Sequence, residues 1–146
     1  CYCYVNNVLR NILGKLIKDY EYIVIDNEAG LEHLSRRTTG AADALVVISD
    51  ATPQGLRAAK RISDLAKELD IKTKKNLLII DCSDKAIGKE TSHKDLGLDY
   101  IGNIPQDPQI SKISLNGSSL LRLNDDAVSL NALRKIGDKI WQPSFC

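Results

Sequence analysis

The sequence predicts an α/β fold, a mostly parallel sheet flanked by helices on both faces. Three observations predict it. Apolar runs rich in β-branched residues recur at Tyr22–Ile25, Ala44–Ile48 and Leu77–Ile80. Such short, continuous runs are the pattern of strands buried on both faces of a parallel sheet. Each leads into a carboxylate, Asp26, Asp50 and Asp81. Stretches with apolar residues at helical spacing flank these runs, and strands alternating with helices of this length imply right-handed βαβ units. With 146 residues, no internal repeat and no low-complexity linker, the expectation is one domain over 1–146.

The elements follow in order. Val5, Val8, Leu9, Ile12, Leu13, Leu16 and Ile17 give one apolar stripe on a first helix, with Asn6 and Asn7 as candidate caps. A first strand is expected over Tyr22–Asp26 and a polar stretch over Glu32–Thr39. Ala44–Asp50 reads as the second strand. Thr52-Pro53 then opens a helix, a cap followed by proline at the first position. Leu56, Ala59, Ile62, Ala66 and Leu69 form its buried stripe. Lys72–Lys75 reads as a solvated turn, Asn76–Asp81 as a third strand, and Asp99–Ile104 as a fourth that Pro105 ends. Leu130, Leu133, Ile136, Ile140 and Trp141 mark a final helix on the sheet.

Charge excludes several classes of function. Lys+Arg 20 against Asp+Glu 19 leaves a formal charge of +1, so no bulk field favours nucleic acid or an anionic membrane. No apolar run approaches the about 18 residues that a membrane span needs, and no signal peptide is visible. Four cysteines in a charged α/β chain fit a reducing compartment, where thiols bind metals or stay free. A cytoplasmic protein without nucleic-acid or membrane partners is expected.

Chemistry concentrates at the strand ends. Parallel strands put Asp26, Asp50 and Asp81 on one edge of the sheet, where open α/β sheets bind ligands. Gly30 follows Asp26 by four positions and lets the backbone approach a bulky group such as a phosphate. Acids at this edge can hold Mg²⁺, which takes one or two carboxylates with phosphate oxygens and water. A nucleotide-binding domain and a flavodoxin-like receiver both group acids in this way. A receiver should also show a lysine ending a later strand, and none of these strands ends so.

Asp26-Asn27-Glu28-Ala29-Gly30-Leu31-Glu32-His33 resembles the switch II segment of the MinD/ParA-like P-loop ATPases. Asp50-Ala51-Thr52-Pro53-Gln54-Gly55-Leu56-Arg57-Ala58 is similar to their next strand-to-helix junction. With Cys1-Tyr2-Cys3 ahead of an Asn-rich helix start, the chain looks like the CooC-type ATPases that help insert nickel into carbon monoxide dehydrogenase. The resemblance covers almost the whole chain. It is specific as far as about Ala58 and generic after Cys82, where Ile104-Pro105-Gln106-Asp107-Pro108 stands out.

The resemblance implies a P-loop NTPase-like domain that binds ATP and Mg²⁺ and hydrolyses ATP. Asp26 matches the Walker B-type aspartate, which holds Mg²⁺ through water. Gly30 matches the switch II glycine, whose N–H senses the γ-phosphate and couples hydrolysis to shape. Asp50 matches an acidic position near the nucleotide. Asp81 stands where the family usually carries an adenine-reading asparagine; an ionised carboxylate accepts from the exocyclic amine but donates nothing to the ring nitrogen. Pro105 and Asp107 match the loop that wraps the adenine.

The family's phosphate loop, a deviant Walker A with a signature lysine, would lie upstream of Cys1, and no G-x-x-x-x-G-K-[ST] occurs in these residues. The chain starts at Cys1 and contains no methionine. The expectation is therefore the C-terminal part of such a domain, inactive alone because the amides and lysine that cradle phosphates are missing.

Cys1 and Cys3 add a metal reading. Alone, a Cys-x-Cys carries no site; beside the switch II match it reads as one. Two thiolates one residue apart face the same way in extended backbone, but Zn²⁺ or Ni²⁺ held by thiolates takes four. Two copies in a symmetric homodimer would supply them. The expected function is then a nickel-insertion ATPase with carbon monoxide dehydrogenase as its partner. Two alternatives stay open: a MinD-like positioning or partitioning ATPase, and a non-enzymatic receiver-type switch. The positioning class usually ends in a basic amphipathic helix, whereas this sequence ends in Ile140-Trp141-Gln142-Pro143-Ser144-Phe145-Cys146. Cys82 reads as a small core residue, and His33 and His93 as loop histidines.

Overall fold

The computed structural model describes residues 3–16, 18–27, 41–83 and 93–141. Helix α1 spans Cys3–Leu16, strand β1 Ala41–Ser49, helix α2 Pro53–Glu68, strand β2 Lys72–Ile80, strand β3 Asp99–Asn103, helix α3 Pro108–Leu115 and helix α4 Val128–Trp141. Two 3₁₀ turns, His93–Leu96 and Leu120–Arg122, complete the described elements.

The three strands pair in parallel, in the order β1-β2-β3. Register runs from Ala41↔Lys72 to Ser49↔Ile80 between β1 and β2. Between β2 and β3 it runs from Leu77↔Asp99 to Ile80↔Asn103. Ser49, Ile80 and Asn103 therefore end side by side, so the strand ends before Asp50 and Asp81 share an edge, whereas Asp26, expected on it, follows no strand among the described residues.

Alternation along β2 explains the two covered faces. Leu78 and Ile80 are fully buried and cluster with Val47 and with Leu56 and Ala59 of α2; Leu96 and Leu98 close that cluster. Burying a leucine or isoleucine fully is worth about 1.5–3 kcal/mol, so this pair anchors the sheet. Leu77 and Ile79 are buried toward the other face, where Lys75 donates to the Ile140 carbonyl of α4 at 3.1 Å. A register shift between Leu78 and Ile79 turns β3 over, so that Gly102 meets α4. A Cβ on Gly102 would sit 3.0 Å from Ile136 Cγ1, tighter than ordinary contact, so a side chain here would press on Ile136.

Helix α2 forms as the sequence predicts. Thr52 caps it by accepting from Gly55 N–H at 3.0 Å, with Pro53 in the first turn. Its stripe buries Leu56, Ala59 and Ala66, with Ser63 beside them.

Five expectations need correction. Asn6 and Asn7 do not cap α1, which already runs from Cys3, so both lie within the helix. Tyr22–Asp26 is not a buried strand: residues 22–27 run irregularly with no ladder partner, and Tyr22 and Val24 are 61% and 78% exposed. An apolar run becomes a strand only beside a neighbour that takes its N–H and C=O groups, and no described strand lies there. Lys72–Lys75 is not a turn but the first half of β2, its exposed lysines alternating with half-buried partners. Lys74 pairs across to Asp43 of β1 at 2.7 Å. Helix α3 was not expected; Asp107-Pro108 carried the same cap-and-proline signal as Thr52-Pro53, but only Ile110 and Ile113 follow at helical spacing and neither is fully buried. Leu133 and Trp141, expected under α4, are 44% and 54% exposed, while Ile136 is buried. Among the described residues, no helix is long and apolar enough to cross a membrane.

Candidate functional site: the carboxyl edge of the sheet

The β1 end is the most tightly built part of the edge. Asp50 Oδ1 accepts from Thr52 N–H at 2.9 Å and from the Thr52 hydroxyl. Thr52 in turn caps α2, so one chain of hydrogen bonds links strand end, turn and helix. These bonds, the hydroxyl first, hold the Asp50 carboxyl below its ordinary range. Asp50 is exposed, and Oδ2 takes no hydrogen bond among the described residues. Gly55 packs directly on this carboxylate: a Cβ there would overlap Asp50 Oδ1 and lie 2.7 Å from Ser49 Oγ.

Asp81 follows β2 one step beyond the paired Ser49 and Ile80, and its N–H donates to Ser49 O at 2.8 Å. The Asp50 and Asp81 strand ends are thus neighbours. Asp81 is partly buried, and its Oδ1 accepts from Cys82 N–H at 2.8 Å. Cys82 adopts a left-handed backbone, φ 53°, which turns it outward. It is exposed, not the core residue expected. The Asp81 charge beside it, followed by some desolvation, pushes its thiol pKa up, so it is a poor thiolate.

The β3 end supplies the third wall. Ile104 N–H donates to Ile80 O at 2.7 Å, and Ser83 N–H donates to Ile104 O at 3.2 Å. Asn103 Nδ2 donates to Ser83 O. The turn after Asp81 and the segment leading into Pro105 are therefore stitched together. Two residues on, Asp107 is 7% exposed. Its Oδ1 accepts from Gln109 N–H at 2.9 Å and caps α3. Its Oδ2 accepts from Ser129 N–H at 3.2 Å and Ser129 Oγ–H at 2.7 Å, at the start of α4. The Ser129 hydroxyl is the main reason the Asp107 carboxyl lies below its ordinary range.

The structure thus brings Asp50, Asp81, Pro105 and Asp107 to one edge. Asp26 is described but exposed, in the unpaired stretch. Tyr22, four residues before it, meets Trp141 of α4 edge-on, ring centroids 6.1 Å apart at 88°. Cys3 opens α1; its side chain, Cys1 and Gly30 lie outside the described residues. Among the described residues no group of three or more His, Cys, Asp or Glu gathers as for a metal ion. Sequence reasoning missed Gly55 and Ser129. Gly55 had a signal, a glycine three residues past a cap; Ser129 had only its place in the first turn of a helix.

No family model matches the chain. It is 43% identical over 148 residues to an uncharacterised ATP-binding protein of Methanocaldococcus jannaschii, covering 99% of this chain and 58% of that protein. It is 32% identical over 125 residues to the carbon monoxide dehydrogenase accessory protein CooC of Rhodospirillum rubrum, covering 85% and 47%. The cell division ATPase MinD of Pyrococcus furiosus superposes with a TM-score of 0.71 at 18% identity, over 92% of this chain and 57% of that one. A ParA family ATPase of Chlorobium tepidum gives 0.74 at 22%, over 94% and 56%. The fold is that of the MinD/ParA P-loop ATPases. The chain spans about half the length of the curated relatives it matches.

Proposed function

We propose that the chain is the carboxyl-terminal part of a MinD/ParA-type ATPase that drives nickel insertion into carbon monoxide dehydrogenase. The observation that carries the nucleotide part is the shared edge: the Asp50 and Asp81 strand ends lie beside a Pro105 loop pinned at both sides. That is where an open α/β sheet takes a ligand, and relatives of the chain are ATP-binding proteins. The nickel part is supported by the 32% identity to CooC and by the Cys1-Tyr2-Cys3 sequence.

The donor set fits Mg²⁺, a hard cation that takes carboxylate oxygens. Asp50 and Asp81 each keep an oxygen without a hydrogen bond among the described residues. Asp26 would hold the ion through water, and Asp50 would be an acidic group near the nucleotide. When bound, Mg²⁺ neutralises charge on the transferred phosphoryl group. In this reading Asp81 and the Pro105 loop hold the base, Gly30 responds to the γ-phosphate, and the phosphate loop belongs to sequence upstream of Cys1. A second reading, a positioning ATPase like MinD, is supported by the structural likeness and by a 24% sequence identity over 140 residues to the septum site-determining protein MinD of Bacillus subtilis.

Asp26→Asn in the full-length protein tests the assignment. Turnover should fall at least about a hundredfold, with ATP affinity changed little, because the ion is disturbed more than the base contacts. Normal turnover would make Asp26 an ordinary loop aspartate. Nickel delivery to apo carbon monoxide dehydrogenase, against recruitment to anionic vesicles, separates the two readings.

A further inference from the structure

Asp107 and Ser129 are 22 residues apart in sequence and joined by two hydrogen bonds, with Ser129 fully buried and Asp107 nearly so. The carboxylate has little left to offer a ligand. One oxygen caps α3 through Gln109 N–H; the other is taken by Ser129 N–H and Oγ–H at the start of α4. Its effect falls on what precedes it. Pro105 and Gln106 are the only residues between Asp107 and Ile104, and Ile104 is fixed from both sides by Ile80 O and Ser83 N–H. A two-residue span pinned at both ends has almost no slack. Proline at 105 and at 108, the latter in the first turn of α3, removes more of it by fixing φ.

We propose that Asp107 and Ser129 form a clamp that pre-sets the Pro105–Gln106 wall and so determines how tightly the base of the nucleotide is held, without either side chain touching the base. The proposal rests on the nucleotide reading above. Its physical content is pre-organisation: a wall already in its bound shape loses little entropy when ligand arrives. A wall freed at the Asp107 end must be ordered on binding. Only the part of the ligand that meets the wall should feel this. Asp107 and Ser129 are thus positioning residues, and α4 is the rigid body they hold the wall against. Lys75 Nζ on Ile140 O at 3.1 Å and Lys139 Nζ on Ile101 O at 2.6 Å fasten that helix to the sheet.

The test compares two ligands on the full-length protein, ATP and inorganic tripolyphosphate, which shares the phosphates but has no base. Ser129→Ala removes the hydroxyl and keeps the backbone bond; Asp107→Asn keeps the shape and removes the charge. Each should weaken ATP by about tenfold to a hundredfold, the size of one lost charge-assisted hydrogen bond, and leave tripolyphosphate unchanged. Ser129→Thr, which restores the hydroxyl, should restore ATP affinity. A merely structural role would weaken both ligands together or neither, and either result overturns the clamp. If the wild-type protein bound tripolyphosphate as well as ATP, the clamp would also fall, since there would be no base contact to set. Failure of wild-type ATP binding would instead remove the nucleotide reading, and the clamp with it.

Discussion

Gly55 lies against Asp50 with no room for a side chain between them. A Cβ would overlap the carboxylate oxygen that receives both Thr52 bonds, and would lie 2.9 Å from Asp50 Cγ. The helix after β1 therefore begins flush against the strand-end carboxylate. Gly55→Ala has two outcomes to meet. Asp50 must rotate away and release Thr52, which should lower Tm by roughly 3–8 °C, the scale of forcing a methyl into filled space. In the full-length protein, Mg²⁺-dependent nucleotide binding should weaken as the carboxylate moves. Calorimetry and a metal-dependent binding titration check both; an unchanged Tm would mean that the turn yields freely.

Asp107 predicts a pH dependence of stability with a definite sign. Ser129 Oγ–H above all, with N–H groups of Gln109, Ser129 and Ile110, holds its carboxyl below the ordinary 3.8. The folded state therefore favours the ionised form more than the unfolded chain does. The stability this gives is fully present above pH 3.8 and is lost as pH falls below 3.8 through the lower folded value. Asp43 and Asp50 are lowered too, by Lys74 and by Thr52, so the contribution of Asp107 is read as a difference. Thermal melts of wild type and Asp107→Asn from about pH 5 to about pH 2.5 should converge as pH falls. Parallel curves would show that the carboxylate carries no such linkage.

Much of this was legible in the sequence for a local reason. Leu77–Ile80 is apolar and buried on both faces because β2 is the middle strand, whereas the similar run Ala44–Ile48 lies in the outer strand β1 and leaves Ile48 60% exposed; the continuous apolar run marked both as strands. Thr52-Pro53 announced α2 because cap and proline are local devices. Tyr22–Ile25 shows the limit: its composition is that of a buried strand, but strand formation needs a partner elsewhere, which local pattern does not reveal. Lys72–Lys75 misled in the opposite direction, since four polar residues can extend a strand when Ala41–Ala44 alongside tolerates their alternation. The Asp107–Ser129 link was invisible because each end is an ordinary helix-start residue, and only the fold makes them one feature.

Residues 1–146 alone should bind ATP weakly and show no measurable hydrolysis. Its acidic edge can meet a metal and a base, but these residues contain no Walker A sequence, and phosphoryl transfer depends on cradling and neutralising the phosphates. A phosphate-release assay with Mg²⁺ and ATP is enough. Robust turnover by residues 1–146 alone would overturn the assignment of the phosphate loop to upstream sequence.

Cys1 and Cys3 give the sharpest test of the nickel reading. If the pair is a metal site, one chain offers two sulfurs, and a closed thiolate site for Zn²⁺ or Ni²⁺ takes four. The full-length protein should then bind one metal per dimer, two thiolates from each copy, as an isologous interface allows. Thiolates bind only after losing a proton, so affinity should fall as pH drops below the cysteine pKa, about 8.5 when unperturbed. Replacing both cysteines with serine should abolish metal binding and weaken the dimer by at least about tenfold. ATP hydrolysis measured per assembled dimer should survive, because Asp26 and Asp50 are untouched. Metal titration followed by sedimentation gives the stoichiometry. One metal per monomer, or full metal binding in the double mutant, would exclude a shared site and shift the balance toward the positioning ATPase.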